Sequence, residues 1–394
     1  MATPAPLQEP PDFSVVLGGP FYRMLRRSPL AASREQLLRR LAAISIAICW
    51  VPLALLSLAQ GHFRGGVKLF FLHDIETHVR FLVCLPVLIL TEVIVRERIW
   101  PVLKNFVERQ VVAAEELPKF YAAINSATRV HNSAIADIAL FALVFTAGTW
   151  IFRLQIEPDV ASWYAYSQGG QVHLTKAGYW LAFVSVPLFQ FILLRWYVRY
   201  VIWFWFAHRV SHLKLHLPAL HPDGAGGLGF LGESSLAFAP LLFAHSVLLA
   251  GQIASRVLYN GGKLMASERT IVGYAVFSIV AAVAPLFLFT TELIRAKLRG
   301  LEKYGAFASS YVMDFDRKWL QGKVNDEPAL GTGDIQSLAD LGNSYSAARG
   351  MRPLPIATDE IVLLVVVTIV PFLPLLLTIM PLDELLAQAF KFVF

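Results

Sequence analysis

Three ionisable residues stand inside long apolar runs of this chain: Glu92, Asp137 and His245. Charge is costly at membrane depth, so such groups are default candidates for ion, proton or solute contact. A carboxylate taken out of water binds its proton more tightly and can exchange it. Glu292 is a fourth such group, closer to the end of its apolar run. Arg195 and Arg199 lie one helical turn apart in an aromatic stretch with Trp196, Tyr197, Tyr200 and Trp203. Two chemistries are open to them: snorkelling to headgroups, or lining a vestibule that attracts anions.

A second constellation is the run from His221 to Glu233. It contains His221, Asp223, Gly226, Gly227 and Gly229, with five glycines between 224 and 232. Glycines there permit a tight turn or close backbone approach. A helix entered from such a loop presents free amides to an anion. The competing expectation is a tight interhelical turn. Gly224-Ala-Gly226-Gly-Leu-Gly229 also matches the dinucleotide fingerprint literally, but the βαβ context that gives that motif its chemistry is missing. His221-Pro-Asp223 matches the J-domain tripeptide without room for that module's helical hairpin. His208, His212 and His216 share one face if a helix continues through them, which is a metal-ligand spacing. Membrane di-iron enzymes use adjacent His-His pairs, and this chain has none among its ten histidines. These three are therefore weak metal candidates, and no cofactor is specified.

The elements that position these residues are membrane helices. About 20 apolar residues are needed to cross the hydrocarbon. Seven stretches qualify: Leu41–Ala59, Arg80–Val95, Ala134–Phe152, Gly178–Val198, Leu236–Val257, Thr270–Leu293 and Glu360–Met380. Charged residues make up 16% of the chain and hydrophobic ones 56%, against about 25% charged in soluble domains. The expected fold is an all-α polytopic membrane protein of seven spans with interfacial helices. Lys and Arg alternate across the spans, 25 of the 34 falling on one side. Positive segments stay cytoplasmic, so the N-terminus is expected inside and the C-terminus outside. The same bias accounts for the net charge of +6, which argues against a nucleic-acid partner and for anionic lipid headgroups. Two cysteines, both in spans, exclude a disulfide framework.

The chain divides into a cytoplasmic amphipathic segment (1–40), six spans (41–293), a cytoplasmic insert (294–359), and the seventh span with an outer tail (360–394). Trp100–Ser133 reads as an amphipathic helix broken at Pro118. Within the insert, Ala308–Gly322 reads as a surface helix and Ile335–Arg349 as a short helix capped by Asp334. On the outer side, Asp74/His78 and Glu76/Arg80 read as interfacial i,i+4 pairs.

The fourth span, the His-Pro-Asp and glycine loop, Asp340-Leu-Gly-Asn-Ser and Met351-Arg-Pro-Leu-Pro together resemble bacterial multi-pass membrane proteins. The resemblance covers most of the chain from Gly178 onward. It implies a bacterial inner membrane and attaches no activity. The residues themselves favour a channel or transporter for a small solute or ion, with the bilayer as partner and a homo-oligomer left open. The alternatives are a scaffold or sensory subunit, or a membrane-embedded enzyme, with His-metal chemistry as one form, acting on lipid or a small anion. The balance leans away from an enzyme.

Overall fold

A computed structural model describes residues 34–131, 133–148, 161–168, 171–259, 261–321 and 332–378. The segments 1–33 and 379–394 lie outside the described residues, as do the Asn325-Asp-Glu-Pro run and the end of the third expected span. The described chain is mostly helical, with one short hairpin and connecting loops. In order come α1 (Glu35–Ala59), α2 (Ile75–Glu108), α3 (Ala114–His131) and α4 (Ala134–Thr146). A two-stranded antiparallel sheet follows, β1 (Ala165–Gln168) and β2 (Gln171–Leu174). Then come α5 (Lys176–Ser211), α6 (Gly229–Tyr259) and α7 (Leu264–Phe287). The last three are α8 (Thr290–Phe315), α9 (Gly333–Gly350) and α10 (Thr358–Thr378). Helices α1, α2, α5, α6, α7 and α10 are each long and apolar enough to cross a bilayer.

Tertiary contacts sort the connections onto two faces. On one face Val112 bridges to Leu215, Arg98 pairs with Glu233, and Lys297 Nζ donates to the Met351 carbonyl. On the other, Leu69 bridges to Ser162, Trp163 Nε1 donates to Asp74, and Trp50 Nε1 donates to His78. The chain therefore changes faces between Val112 and Ser162. The apolar helix on that path is α4, bent 46° from α3; six described helices are long and apolar enough to cross a membrane, and seven if that bent pair counts as one span. The face of the Val112–Leu215 bridge is the one rich in Lys and Arg.

The helices run past the expected apolar limits. α2 is 34 residues long and α5 is 36, so each carries its register well beyond the roughly 20 residues of hydrocarbon depth. Pro118 does not break the interfacial helix. It is the second residue of the α-helical part of α3, which starts at Leu117 after a 3-10 turn at Ala114–Glu116. A proline's missing N–H costs nothing there, and the break falls at 109–113 instead. Gln110 there has a positive φ of 54°. The sixth span does not run on into the insert as one helix. It stops at Phe287, and α8 restarts at Thr290. That helix then continues through Ala308 to Phe315, with a π-helical end at Asp316–Leu320. Asp334 does not cap α9. The N-cap is Thr332, and the Asp334 carboxylate instead accepts from Lys318 Nζ at 2.8 Å and Trp319 Nε1 at 3.0 Å. Those bonds hold its pKa below the usual carboxylate value. They also tie α9 to the end of α8, while Gly305 of α8 packs against the Tyr345 ring.

Hydrogen bonds across the spans supply glue that lipid-facing surfaces cannot. Ser185 Oγ donates to the Cys49 carbonyl at 2.8 Å, Cys84 Sγ to the Ala244 carbonyl at 3.2 Å, and Trp196 Nε1 to the Leu88 carbonyl at 2.9 Å. Two of these partners lie in π-helical turns, Val79–Cys84 in α2 and Leu181–Ser185 in α5. A π-turn frees or displaces backbone carbonyls, and π-turns cluster at functional sites. Trp163, Trp196, Phe71, Phe81, Phe106, Phe120 and Phe289 fill the core.

Candidate functional site

Helix α5 presents a ladder of charged and polar groups to three neighbours. Arg199 Nη1 donates to Glu92 Oε2 of α2 at 2.7 Å. The side chains are 5% and 0% exposed, so this is a fully desolvated ion pair. Neither charge is tolerable alone at that depth, and each neutralises the other. The Arg199 guanidinium also lies over the Trp196 ring, 5.0 Å from its centre. One turn back along α5, Arg195 Nε sits 3.5 Å from Asp137 Oδ1 of α4. Between them in sequence, Tyr197 pairs its hydroxyl with His245 Nε2 of α6, and the other ring nitrogen of His245 lies 2.7 Å from the Leu241 carbonyl. Glu92, Asp137, Arg195, Arg199 and His245 are thus all anchored through a single helix. Of the two chemistries open to the arginines, headgroup snorkelling does not describe Arg199, whose charge is buried against a carboxylate.

Beside this pair is a small cavity, open on one side and about 20 Å³ in enclosed space, room for about one water molecule. Val95, Ile99 and Leu103 of α2, Ala127 of α3, and Ile202, Trp203 and Phe206 of α5 line it. Arg199 is the one charged lining residue, and Glu92, its ion-pair partner, is fully buried and does not line the cavity. Close to Ala127, the Thr128 hydroxyl is buried with no hydrogen-bond partner among the described residues. The cavity lies toward the lysine- and arginine-rich face, where the interfacial helix α3 packs against α5.

The glycine loop has a different construction. Asp223 folds its carboxylate back under the loop and accepts backbone N–H bonds from Ala225 at 2.8 Å, Gly227 at 3.1 Å and Gly229 at 2.8 Å. His221 Nδ1 lies 2.8 Å from the same carboxylate. Burial alone pushes this carboxyl's pKa up, but the three amides and His221 outweigh it and hold it below the usual value. The amides that could have received an external anion are occupied by the loop's own aspartate. Gly226 has φ +61°, and a Cβ on it would meet Met351 Cε at 2.9 Å. Gly227 has φ +88°. Gly229 is needed for close approach, because a Cβ there would sit 3.0 Å from Asp223 Oδ2.

Arg352 closes the loop against the chain before α10. Its backbone N–H donates to the Gly224 carbonyl, and its guanidinium bridges the Asp223 and Ile356 carbonyls, all at 2.7 Å. A few residues on, Glu360 Oε2 accepts from Ala357 N–H at 2.7 Å, and its carboxylate packs directly on Gly232. Arg352, Glu360 and Gly232 were not candidates on residue type. The signal available was the Met351-Arg-Pro-Leu-Pro pattern, whose arginine turns out to face the glycine loop.

The histidine spacing fails for a local reason. α5 ends at Ser211. His208 and His212 stay together, rings 4.5 Å apart, with His212 Nδ1 2.8 Å from the His208 carbonyl. His216 has left the helix, and its backbone N–H donates to the Val111 carbonyl. Among the described residues no group of three His, Cys, Asp or Glu is placed to hold a metal ion. On the opposite face, Glu76 pairs with Arg80 as expected. Asp74 and His78 do not pair. Asp74 caps the turn at Thr77 and accepts from buried Trp163, while His78 accepts from Trp50.

Comparison with known proteins returns no matching family model, no similar curated protein and no similar solved structure.

Proposed function

We propose that this multi-pass membrane protein moves a small ion or solute across a bacterial inner membrane, with the arginine ladder of α5 as its contact site. One observation supports the reading: Arg199, ion-paired with Glu92 in the buried interior, is also the charged residue that lines a small cavity between α2, α3 and α5. A purely structural contact between α2 and α5 would be cheaper with apolar side chains, since desolvating two charges offsets much of their attraction. Charge kept at this depth beside open space fits a group that meets a translocated species. The test is flux into liposomes holding the purified protein, with small anions, cations and protons driven by imposed gradients. Flux that falls at least tenfold in Arg199→Gln supports the reading. Wild-type liposomes that pass nothing above protein-free controls overturn it.

A docking or assembly subunit is the second reading, favoured by the α8–α9 hairpin. Phe307, Met313, Leu320 and Ile335 are exposed there. An apolar surface outside the bilayer is a common mark of a partner surface.

A further inference from the structure

We infer that α8 lies on the lysine- and arginine-rich surface of the bilayer, with an apolar row among the headgroups and Arg299 and Lys303 on the phosphates of anionic lipids. Such a contact holds whether or not α5 carries a solute. α7 exposes Val272, Val276, Phe277, Val280 and Phe287, as a span facing lipid does. α8 begins at Thr290, three residues past Phe287, so its first turn stands at the boundary of the bilayer. Ile294, Leu298, Val312 and Met313 of α8 are exposed, Leu298 by 59% and Met313 by 60%. At about 100° of rotation per residue, these four fall within roughly a third of the helix circumference.

The sector beside this row is basic. It holds Arg295, Arg299 and Lys303, all exposed. Arg295 is paired with Glu292. Arg299 and Lys303 have no carboxylate partner among the described residues, and Glu302 between them in sequence pairs with neither. An apolar row flanked by free cations is the pattern of a helix that lies in a membrane interface and attracts anionic headgroups. α9 packs on the other flank of α8. Ala348 comes against Gly300, Tyr345 against Gly305, and the Tyr311 hydroxyl donates to the Asp334 carbonyl. Apart from Ile335, the larger exposed side chains of α9 are polar, among them Gln336, Ser337, Asp340 and Asn343. The hairpin thus has one side that suits lipid and one that suits water. Phe307 is nine residues from Leu298, about half a rotation round the helix, and lies away from the row. Two features favour a lipid surface over a protein partner. The row starts where a span ends, and its unpaired cations stand on the face that gathers 25 of the 34 Lys and Arg.

Nitroxide labels decide this, on cysteines placed one at a time at Leu298, Phe307, Val312 and Ser337. The full-length protein is held as single copies in lipid nanodiscs, of phosphatidylcholine alone or mixed with phosphatidylglycerol. In mixed discs, labels at 298 and 312 should collide with dissolved oxygen in preference to a water-soluble nickel chelate. Labels at 307 and 337 should show the reverse. The oxygen preference at 298 and 312 should fall about twofold or more in phosphatidylcholine alone, and likewise in Arg299→Gln combined with Lys303→Gln. Unlabelled wild-type protein gives a second readout if a labelled variant fails to fold. Hydroxyl-radical oxidation of Met313 should be several times slower in mixed discs than in phosphatidylcholine. Labels at 298 and 312 open to the chelate overturn the lipid contact. Shielding of both from both reagents places protein on the row and overturns it equally. Oxygen preference at 307 or 337 overturns the orientation. A lipid contact indifferent to headgroup charge, or unchanged in the double variant, overturns the role of Arg299 and Lys303.

Discussion

At the scale of single residues, the intramembrane charges behave as pairs rather than as isolated groups. Removing one member should therefore cost more than removing both. Arg199→Met removes the arginine that Glu92 bonds at a fully buried position and should destabilise by about 3–5 kcal/mol. Arg199→Met combined with Glu92→Met should restore part of that loss, read as melting temperature in one detergent. A double variant no better than the single one would count against the pair as the unit. Asp223 allows a sharper pH test. Its pKa is lowered in the folded loop, so its contribution is complete above about pH 4 and is lost as pH falls through the folded value. Asp223→Asn should lose roughly 2–4 kcal/mol at pH 7, because charged acceptors hold amide donors more strongly than neutral ones. The gap between wild type and variant should stay flat from pH 5 to 9 and shrink below pH 4; a gap that instead grows on acidification would show that the carboxylate is not the acceptor. The sequence made Glu92, Asp137 and Asp223 legible as candidates, since residue type and apolar context are local. Their partners were not legible. Glu92 and Arg199 are 107 positions apart, and only the packing of α2 on α5 decides that they meet.

At the scale of elements, the glycine loop is a latch between the start of α6 and the start of α10. Gly232 and Glu360 are its tightest point. A methyl group at 232 would occupy the space of the Glu360 carboxylate. Gly232→Ala should then force α10 away from α6 and lower stability by 1–3 kcal/mol, the usual cost of overpacking. Glu360→Ala loses its bond to Ala357 N–H, about 1 kcal/mol. The double variant should cost clearly less than the two singles added, because the methyl now has room. Strict additivity in thermal unfolding would mean that the helices are not held at this contact. Helix positions were largely readable from apolar runs, while their ends were not. α2 continues past Val95 because Ile99, Val102, Leu103 and Phe106 go on packing inward, with Phe106 against Phe120 of α3 and Phe230. The failure of the histidine face has the same origin, since α5 stops at Ser211 and His216 is fixed by the strand-like bridge of Leu215 to Val112.

At the scale of the whole molecule, two independent observations give the same two-sided plan. One is the alternation of Lys and Arg along the chain, 25 against 9. The other is the set of tertiary contacts that bring 98–113, 211–233, 297 and 351–360 to one face, and 50–78, 162–177 and 259 to the other. Neither uses the other's information, and they agree at each described connection, which is what seven spans predict when the bent pair α3–α4 counts as one of them. What charge alone adds is the direction, because basic segments resist translocation. The native thiols, Cys49 and Cys84, are both buried and should stay silent toward a membrane-impermeant maleimide. A cysteine placed at Ser337, exposed on α9, should react in inside-out vesicles and be protected in intact cells. A cysteine at Gly65, where a new Cβ meets no neighbour within 4 Å, should show the reverse. Labelling of both from the same side would break the two-face plan. Labelling of each from the side opposite to that expected would keep the plan and invert the molecule, moving the cavity beside Arg199 to the opposite side of the bilayer.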